Sequence, residues 1–407
     1  MKQPKLRFKA DGGMQFPDWG EKKIGELGTF TKGAPLSKAD ISDCGTPLIL
    51  YGELYTTYNE VAYDIQRKTQ STVDEKYYSL VGDVVIPTSG ETAEEISTAT
   101  CVMAQNVILA GDLNIYRSDI VEGRIMSYIL NHQAKWKIAR LAQGKSIVHI
   151  QAAQLSDITI KYPPSTVEQK KIASLFTELD TLIQSAEKEL EGYRELKQGM
   201  LQKMFPKKGE KVPEIRFPEF TGDWEQRKLG EICGQLKNTI NPMDTPDDYY
   251  IEYSMPAFDD NETATCVVGK TMNSARKVID KPCLLVNKLN VRKKRIWNVE
   301  NPESNAVCSA EFVSLYSLGA DLTFVKYTLF TDDFTSYLED RSSGSSNSQK
   351  RVTPEVIMQA KVTIPTCGEQ KKIGEYFSNL DNLIFLQQKE LDGYKELKKG
   401  LLQQMFC

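Results

Sequence analysis

Apolar residues recur at helical spacing over two long stretches of the chain, residues 168–205 and 369–406. They return about every 3.5 residues, which is the repeat of a coiled-coil helix. Each stretch would form a helix about 57 Å long at a rise of 1.5 Å per residue. The residues predicted to line the apolar seam are Ile172, Phe176, Leu179, Ile183, Leu190 and Tyr193 in the first stretch, and Ile373, Phe377, Leu380, Ile384, Leu391 and Tyr394 in the second.

The two stretches are copies of one another: EQKKIASLF in the first returns as EQKKIGEYF in the second, and most later positions also agree. Similarity over this length indicates an internal repeat. Each copy opens with a capping box, from Ser165 to Glu168 and from Thr366 to Glu369, in which the glutamate is expected to bond the N-cap amide. A helix this long needs a partner for its seam, and the other copy has the matching length. The alternatives are packing on its own domain or pairing with another chain.

Glycine occurs at matching places in the two predicted helices, at Gly192 and Gly393. Glycine in a helix interior costs about 1 kcal/mol relative to alanine. These positions are therefore expected to interrupt the seam, by a kink or by a close contact.

The repeat extends over the rest of the chain. PKLRF at residues 4–8 returns as PEIRF at 213–217, and DWGEKKIGEL at 18–27 returns as DWEQRKLGEI at 223–232. Between these landmarks and the long helices lie apolar runs of strand type and helical segments that close on a glycine. The sequence thus predicts an α+β fold, a tandem repeat of a mixed α/β head followed by a long helix. The predicted domains are residues 1–163, 164–206, 207–364 and 365–407.

Composition narrows the class of protein. The chain has 407 residues, of which 40% are apolar, enough for two or three packed domains. It contains no apolar run long enough to span a membrane and no apolar signal segment at its start, so a cytoplasmic protein is predicted. Its eight cysteines include no CxxC pair, which favours reduced thiols over a metal site or disulfides. A net charge of -4 confines any binding of nucleic acid to local patches.

The long helices are much more alike than the heads, which favours one shared partner surface and two different targets. The chain resembles the DNA-specificity subunits of type I restriction-modification systems. The resemblance rests on the paired helices with the pattern EQKKI…F…LD…I and on the repeated DW…GE motifs. The resemblance implies two target-recognition domains that each read half of a bipartite DNA sequence. It also implies that the long helices pair as an antiparallel intramolecular coiled coil with pseudo-two-fold symmetry. The implied partners are double-stranded DNA, two methyltransferase (modification) subunits, and restriction subunits that carry the motor and nuclease.

Basic and amide side chains follow the predicted strand at residues 281–286. Lysine and arginine bind phosphate, and asparagine can bond the edge of adenine. The candidate DNA contacts in this run are Lys288, Asn290, Arg292, Lys293, Lys294 and Arg295. The alternative is a solvated surface loop. The corresponding loop of the first head, which includes the candidates Thr88 and Ser89, carries no cation, so the heads need not use it identically.

A second polar segment follows the glycine that closes each helical segment, Gly144 in the first head and Gly344 in the second. Small polar residues there suit a loop that orders on a DNA groove, and they suit an ordinary exposed turn equally well. The candidates are Lys145 and Ser146 in the first head, and Asn347, Gln349, Lys350 and Arg351 in the second. His149 fits a capping or core role as well as a contact.

No motif for catalysis is recognised. An adenine methyltransferase needs an Asn/Asp-Pro-Pro-aromatic tetrad, whereas YPPS at residues 162–165 lacks the acidic or amide residue. With only His132 and His149 available, no nucleophile triad, metal site or cofactor is predicted. The sequence favours a non-catalytic specificity subunit. The alternatives are a self-sufficient DNA-modifying enzyme with an unrecognised active site, and a coiled-coil scaffold that does not bind DNA.

Overall fold

The computed structural model describes residues 3–142, 148–344, 346 and 349–406. The chain divides into two units, one formed by Met1–Ala186 with Glu390–Cys407 and the other by Glu187–Lys389. Each unit therefore holds one head, the first part of the long helix that follows this head, and the last turns of the other long helix. The linear domain limits given above stay a prediction.

The first head contains short strands and helices. Its strands are β1 (Gly20–Lys23), β2 (Thr29–Lys32), β3 (Thr46–Leu50), β4 (Val61–Ala62), β5 (Lys68–Thr69), β6 (Asp83–Pro87), β7 (Ser89–Gly90), β8 (Thr100–Val102), β9 (Ile108–Ala110), β10 (Leu113–Arg117), β11 (Val148–His149) and β12 (Thr159–Tyr162). Its helices are α1 (Ile24–Leu27), α2 (Gly123–Tyr128), α3 (Lys135–Leu141) and α4 (Ala152–Ser156), followed by the long helix α5 (Thr166–Lys203). A π-helical turn, Ile129–Gln133, joins α2 to α3.

A five-stranded sheet in the order β2-β10-β6-β8-β4 lies at the centre of the first head. Strand β6 is buried along its whole length because apolar residues cover both of its faces. Val84 and Ile86 point into the larger core with the helices, and Val85 points into a smaller core. This alternation follows the two-residue period of a strand. Smaller sheets pair β5-β3-β9, β1-β12 and β11-β7.

The second head repeats this plan with a larger second sheet. Its strands are β13 (Glu225–Lys228), β14 (Cys233–Gln235), β15 (Thr239–Ile240), β16 (Tyr249–Tyr253), β17 (Thr265–Val268), β18 (Arg276–Val278), β19 (Cys283–Asn287), β20 (Ile296–Val299), β21 (Ala306–Ser309), β22 (Phe312–Ser317) and β23 (Lys361–Ile364). Its helices are α6 (Leu229–Ile232), α7 (Met255–Asp259), α8 (Leu322–Phe330), α9 (Asp332–Asp340) and α10 (Pro354–Gln359), followed by the long helix α11 (Cys367–Phe406). The sheets have the orders β14-β22-β19-β20, β15-β18-β21-β16-β17 and β13-β23.

The central strands of the two heads correspond. Strand β6 pairs antiparallel with β10, and β19 pairs antiparallel with β22 in the same register, so that Ile86 lies opposite Asn114 and Val286 lies opposite Val313. In both heads a strand near the start pairs with the strand before the long helix, as β1 with β12 and β13 with β23. The mixed α/β character predicted for both heads is confirmed.

The two long helices pack antiparallel. In the first unit, Ile172 and Phe176 near the start of α5 share a core with Phe406 at the end of α11, and the ring centroids of Phe176 and Phe406 are 6.2 Å apart. In the second unit, Phe205, just beyond the end of α5, packs on Phe377 near the start of α11 at 5.9 Å. The intramolecular pairing is confirmed, and the start of each long helix also packs on its own head.

The predicted seam residues lie on the inner side of the helices. Those that are buried are Ile172, Phe176, Leu179, Leu190, Ile373, Phe377, Leu380 and Leu391. Those that are half-buried are Ile183, Tyr193, Ile384 and Tyr394. The partly exposed members therefore lie toward the middle of each helix rather than at its start.

The outward faces of the long helices are largely polar. Gly192 and Gly393 lie on these faces, and a Cβ atom added at either would meet no atom within 4 Å. The expectation that these glycines interrupt the seam is therefore wrong, because α5 and α11 continue through them on the solvent side. None of the helices in the described part of the chain is both long and apolar enough to cross a membrane.

The glutamates of the two capping boxes have a different partner from the one expected. Ser165 Oγ does accept from the Glu168 amide at 3.4 Å. The Glu168 carboxylate, however, accepts two bonds of 2.9 Å from Arg7, and the Glu369 carboxylate accepts two of 2.7 Å from Arg216. Both carboxylates are buried, and a buried carboxylate needs a cation with matching geometry. These pairs explain why the PKLRF/PEIRF and EQKKI motifs are repeated together.

The glutamine after each glutamate fixes the base of its head. The side-chain oxygen of Gln169 accepts from the amide of Glu122 at 2.8 Å, and that of Gln370 accepts from the amide of Asp321 at 3.0 Å. Glu122 and Asp321 immediately precede helices α2 and α8. Each long helix therefore holds the start of one helix of its own head, α2 or α8, through one buried side-chain amide.

Candidate nucleic-acid interface

The two polar segments predicted in the second head lie side by side. Leu289 forms an antiparallel bridge with Arg351, and the Asn290 amide donates to the Lys350 carbonyl at 2.9 Å. The Val352 amide donates to the Lys288 carbonyl at 3.1 Å. The strand-end loop, residues 288–295, thus forms one surface with the polar segment before α10.

The first head brings the equivalent segments together with the same backbone bonds. The Ile150 amide donates to the Thr88 carbonyl at 3.0 Å, as Val352 does to Lys288. Ser89 and Gly90 in β7 pair with β11. The convergence of the two loops is therefore a property of the fold, and not of the basic residues in one head.

The basic side chains of the strand-end loop divide into paired and unpaired groups. Arg292 forms an ion pair with Glu339 of α9. Lys294 Nζ donates to the Phe330 carbonyl at 2.8 Å and to Asp332 at 2.7 Å. Arg351 of the adjoining segment lies 3.0 Å from Glu311. These three cations are partly neutralised by carboxylates of their own head.

Arg295 is a structural residue of the second head. Its side chain is only 9% exposed and donates to both oxygens of Asp259, at 2.7 and 2.6 Å. The hydrogen bond from Arg295 lowers the pKa of Asp259. Ser89 of the first head is also buried, and its hydroxyl donates to Asp112 at 2.7 Å. We therefore leave Arg295 and Ser89 out of the proposed DNA-contacting set.

Lys288, Lys293 and Lys350 form no ion pair within the described residues. Lys293 is exposed, and the other two are half-buried. A further lysine, Lys277 of β18, donates to the Phe312 carbonyl at 2.7 Å, and burial together with the charge of Lys288 lowers its pKa. Sequence reasoning missed Lys277, because an isolated lysine in a strand gives no signal. The surface is therefore a patch of incompletely neutralised positive charge, as a phosphate site requires.

The turn that presents this charge has an unusual backbone. Asn290 and Lys294 flank the short helical turn Val291–Lys293 with φ values of 52° and 45°. Non-glycine residues rarely adopt this left-handed region, and such residues cluster at functional sites when the surroundings hold them. The bonds from Lys294 to Phe330 and Asp332 supply that support, so the loop is held in one shape.

The remaining candidates are exposed or undescribed. Gln349 is exposed beside Lys350. The amide of Thr88 donates to the Asp112 carbonyl at 2.8 Å. Lys145, Ser146 and Asn347 lie outside the described residues, as does Gly144.

The fold is that of known specificity subunits. The crystal structure of a type I restriction-modification S subunit from M. genitalium matches with a TM-score of 0.65 at 15% identity, over 100% of this chain and 99% of that one. A chain from a study of complex assembly and conformational transition of the type I R-M system matches with a TM-score of 0.52 at 14% identity, over 96% and 98%. At these identities the likeness concerns the fold.

Sequence comparison finds relatives of the same class. The family model for the type I restriction modification DNA specificity domain matches residues 17–192. The type I restriction enzyme MjaVIII specificity subunit of Methanocaldococcus jannaschii is 24% identical over 97% of this chain and 94% of its own length. The putative type I restriction enzyme MjaX specificity subunit of the same organism is 24% identical over 80% and 78%. The chain thus carries a type I restriction modification DNA specificity domain at residues 17–192, and it is similar over nearly its whole length to a type I restriction enzyme specificity subunit.

Proposed function

We propose that this chain reads a bipartite, asymmetric DNA site, one half with each head, and directs adenine methyltransferase and restriction subunits to it. Similarity to specificity subunits supports sequence recognition, and the divergence between the two heads supports two different half-sites. The M. jannaschii relatives are named as subunits of restriction enzymes, which supports catalytic partners. The chain itself is proposed to be non-catalytic.

The observation that carries this proposal is the convergence of two polar loops in each head. In the second head this surface displays Lys288, Lys293 and Lys350, which form no ion pair among the described residues. A lysine placed this way contributes to DNA affinity mainly through phosphate, and its removal lowers the salt dependence of binding. Asn290 and Gln349 on the same surface carry amides that suit base edges.

Binding of a duplex at several salt concentrations tests the proposal. The chain, assembled with its methyltransferase subunit, is titrated with a labelled duplex that contains the methylated sequence found in the host genome. Lys293→Ala should weaken binding and lower the slope of log K against log salt by about 0.9. Lys361→Ala removes an exposed lysine of β23, which belongs to neither polar loop, and should leave the slope unchanged. Equal slopes for the wild type and Lys293→Ala would refute the assignment of this loop.

Incubation of the purified chain with labelled S-adenosylmethionine and DNA tests the non-catalytic part. We expect methyl transfer only after the methyltransferase subunit is added. Transfer by the chain alone would instead support a self-sufficient enzyme.

A further inference from the structure

The two heads carry opposite charges on equivalent helices. Helix α3 of the first head is basic, and helix α9 of the second head is acidic. The two helices correspond because each lies between the sheet and the polar segment, with Ile138 and Leu338 buried at matching positions. The charged residues are Lys135, Lys137 and Arg140 in α3, and Asp332, Asp333, Glu339 and Asp340 in α9.

The segments beside these helices carry the reverse charges. In the first head, the residues after β7 include Glu91, Glu94 and Glu95, and Lys135 of α3 lies 3.4 Å from Glu94. In the second head, the strand-end loop is basic, and Lys294 lies 2.7 Å from Asp332 of α9. Both heads thus join loop to helix by ion pairs, with the signs exchanged.

The exchange leaves unpaired positive charge on different elements. In the second head it lies on the strand-end loop, at Lys293. In the first head it lies on the outer face of α3, where Arg140 is exposed and has no ion-pair partner among the described residues. Lys137 is also exposed, and one of its protons bonds the Thr159 carbonyl at 2.7 Å.

Trp136 lies on the same face of α3 as Arg140, because residues four apart are neighbours on a helix. Its side chain is 72% exposed, although large aromatic side chains are usually largely covered. The indole N–H can donate to a phosphate oxygen, and the ring can cover a sugar. The equivalent residues in α9 are Ser336 and Asp340, which offer neither group.

We propose that the first head contacts the phosphates of double-stranded DNA through the outer face of α3, with Trp136, Lys137 and Arg140, while the second head uses its strand-end loop. The charge of this face favours DNA as its ligand, because the face combines unneutralised cations with an exposed hydrogen-bond donor, the indole N–H of Trp136. Helix α3 also ends just before the segment that contains Lys145 and Ser146. This inference rests on the proposed DNA-binding function and assigns the contacts of the first head within it.

The test replaces the residues of α3 by their counterparts in α9, in the chain assembled with its methyltransferase subunit. W136S/R140D should weaken binding to the specific duplex and lower the log K against log salt slope by about 0.9 for each phosphate that the variant no longer binds. R140K keeps the charge and should keep the slope. D340A removes the acidic counterpart in the second head and should not weaken binding. Both replaced residues are exposed, so the melting temperature should be unchanged, and R140Q gives a second reading if W136S/R140D fails to fold.

The outcomes separate this inference from the proposed function. If the wild-type complex does not bind the specific duplex in a salt-dependent way, the proposed function fails. If the wild type binds and both W136S/R140D and R140Q bind with unchanged affinity and slope, the α3 assignment is overturned. Unchanged DNA binding with weaker assembly of the methyltransferase subunit, seen by sedimentation, would also overturn it and assign this face to a protein partner.

Discussion

Arg7 and Glu168 form a two-point ion pair that joins the N-terminal segment to the first turn of α5. Nε and Nη2 of Arg7 each lie 2.9 Å from one oxygen of the Glu168 carboxylate, and Trp19 Nε1 lies 3.4 Å from the first oxygen. The Glu168 side chain is fully buried, and the positive charge of Arg7 offsets the cost of removing its carboxylate from water. Loss of Arg7 would therefore leave a buried charge without a partner in the first unit.

Arg7→Ala should destabilise the first unit by about 3–5 kcal/mol, because it leaves a buried carboxylate without its cation. The matched control is Lys171→Ala, which removes an exposed pair with Asp11 and should cost no more than about 1 kcal/mol. Urea unfolding followed by tryptophan fluorescence measures both. Similar losses for the two variants would contradict the role given to Arg7.

Asn114→Val should stabilise the first head. Asn114 is fully buried in β10, and neither its amide nitrogen nor its amide oxygen has a hydrogen-bond partner among the described residues. Valine occupies the equivalent position of the second head, Val313. Removing an unsatisfied buried amide should raise the free energy of unfolding by about 1–3 kcal/mol.

The matched control for this change is Asn131→Val. The Asn131 side chain accepts from the Ala99 amide at 3.1 Å and donates to the Ala99 carbonyl at 2.6 Å, so its loss should destabilise the head. Thermal unfolding of the two variants should shift in opposite directions. A lower melting temperature for Asn114→Val would show that the amide has a partner after all.

Glu60 should make the first unit sensitive to acid. Burial by itself raises the pKa of Glu60, but the hydrogen bond to His132 at 3.1 Å and the charge of Lys398 at 2.9 Å outweigh it and lower the pKa to about 2. A carboxyl with a lowered pKa stabilises the fold above its ordinary value of 4.5, and this contribution is lost as the pH falls toward 2.

The comparison of the wild type with Glu60→Gln isolates this effect. The wild type should unfold at higher urea than the variant at pH 6, and the difference should shrink steadily from about pH 4.5 downward. A difference that stays constant between pH 6 and pH 3 would show that the ionised Glu60 does not hold Lys398.

The apolar pattern was sufficient to predict the long helices and the mixed character of the heads, because period and length are local properties of the sequence. The matching length of the two copies favoured their pairing, and the antiparallel direction was implied by the family resemblance. The partner of Glu168 was not predictable, since Arg7 is far away in the chain and a capping box explains the same residue. The repeated PKLRF and PEIRF motifs were the available signal, and only the fold shows what they bind.

The candidate DNA contacts were predicted less completely. Spacing along the chain does not distinguish the exposed Lys293 from the buried Arg295, because the difference arises where the loop turns into β20. The basic residues of α3 are visible in the sequence. Which of them are neutralised depends on the acidic loop beside them, and the sequence does not show that this loop is close. A pattern of charge therefore identifies a surface only after the fold shows which charges neutralise each other.

Lengthening both long helices should lengthen the gap between the half-sites. Each helix contributes its first turns to one unit and its last turns to the other, so four helix-forming residues are inserted in both, after Ser185 and after Leu386. Four residues add about 6 Å of rise and a net rotation of about 40°. One base pair adds about 34° at about 10.5 pairs per turn, so the rotation favours a gap longer by about one base pair.

Methylation mapping in cells that carry the lengthened chain and its methyltransferase subunit measures the number of base pairs between the two half-sites. Insertion into α5 alone serves as the control. It should destabilise the protein, because the end of each long helix then no longer lies opposite the start of the other. Retained methylation with an unchanged gap would show that these helices do not set the distance.

The proposed function requires that two different heads read two different halves of one DNA site. Genome-wide mapping of methylated adenines in cells that express the unmodified chain with its methyltransferase subunit tests it most directly. We predict an asymmetric motif in two parts separated by a gap of unspecified sequence, and W136S/R140D should reduce methylation at that same motif. A continuous or palindromic motif, or no methylation that depends on this chain, would contradict the proposed function.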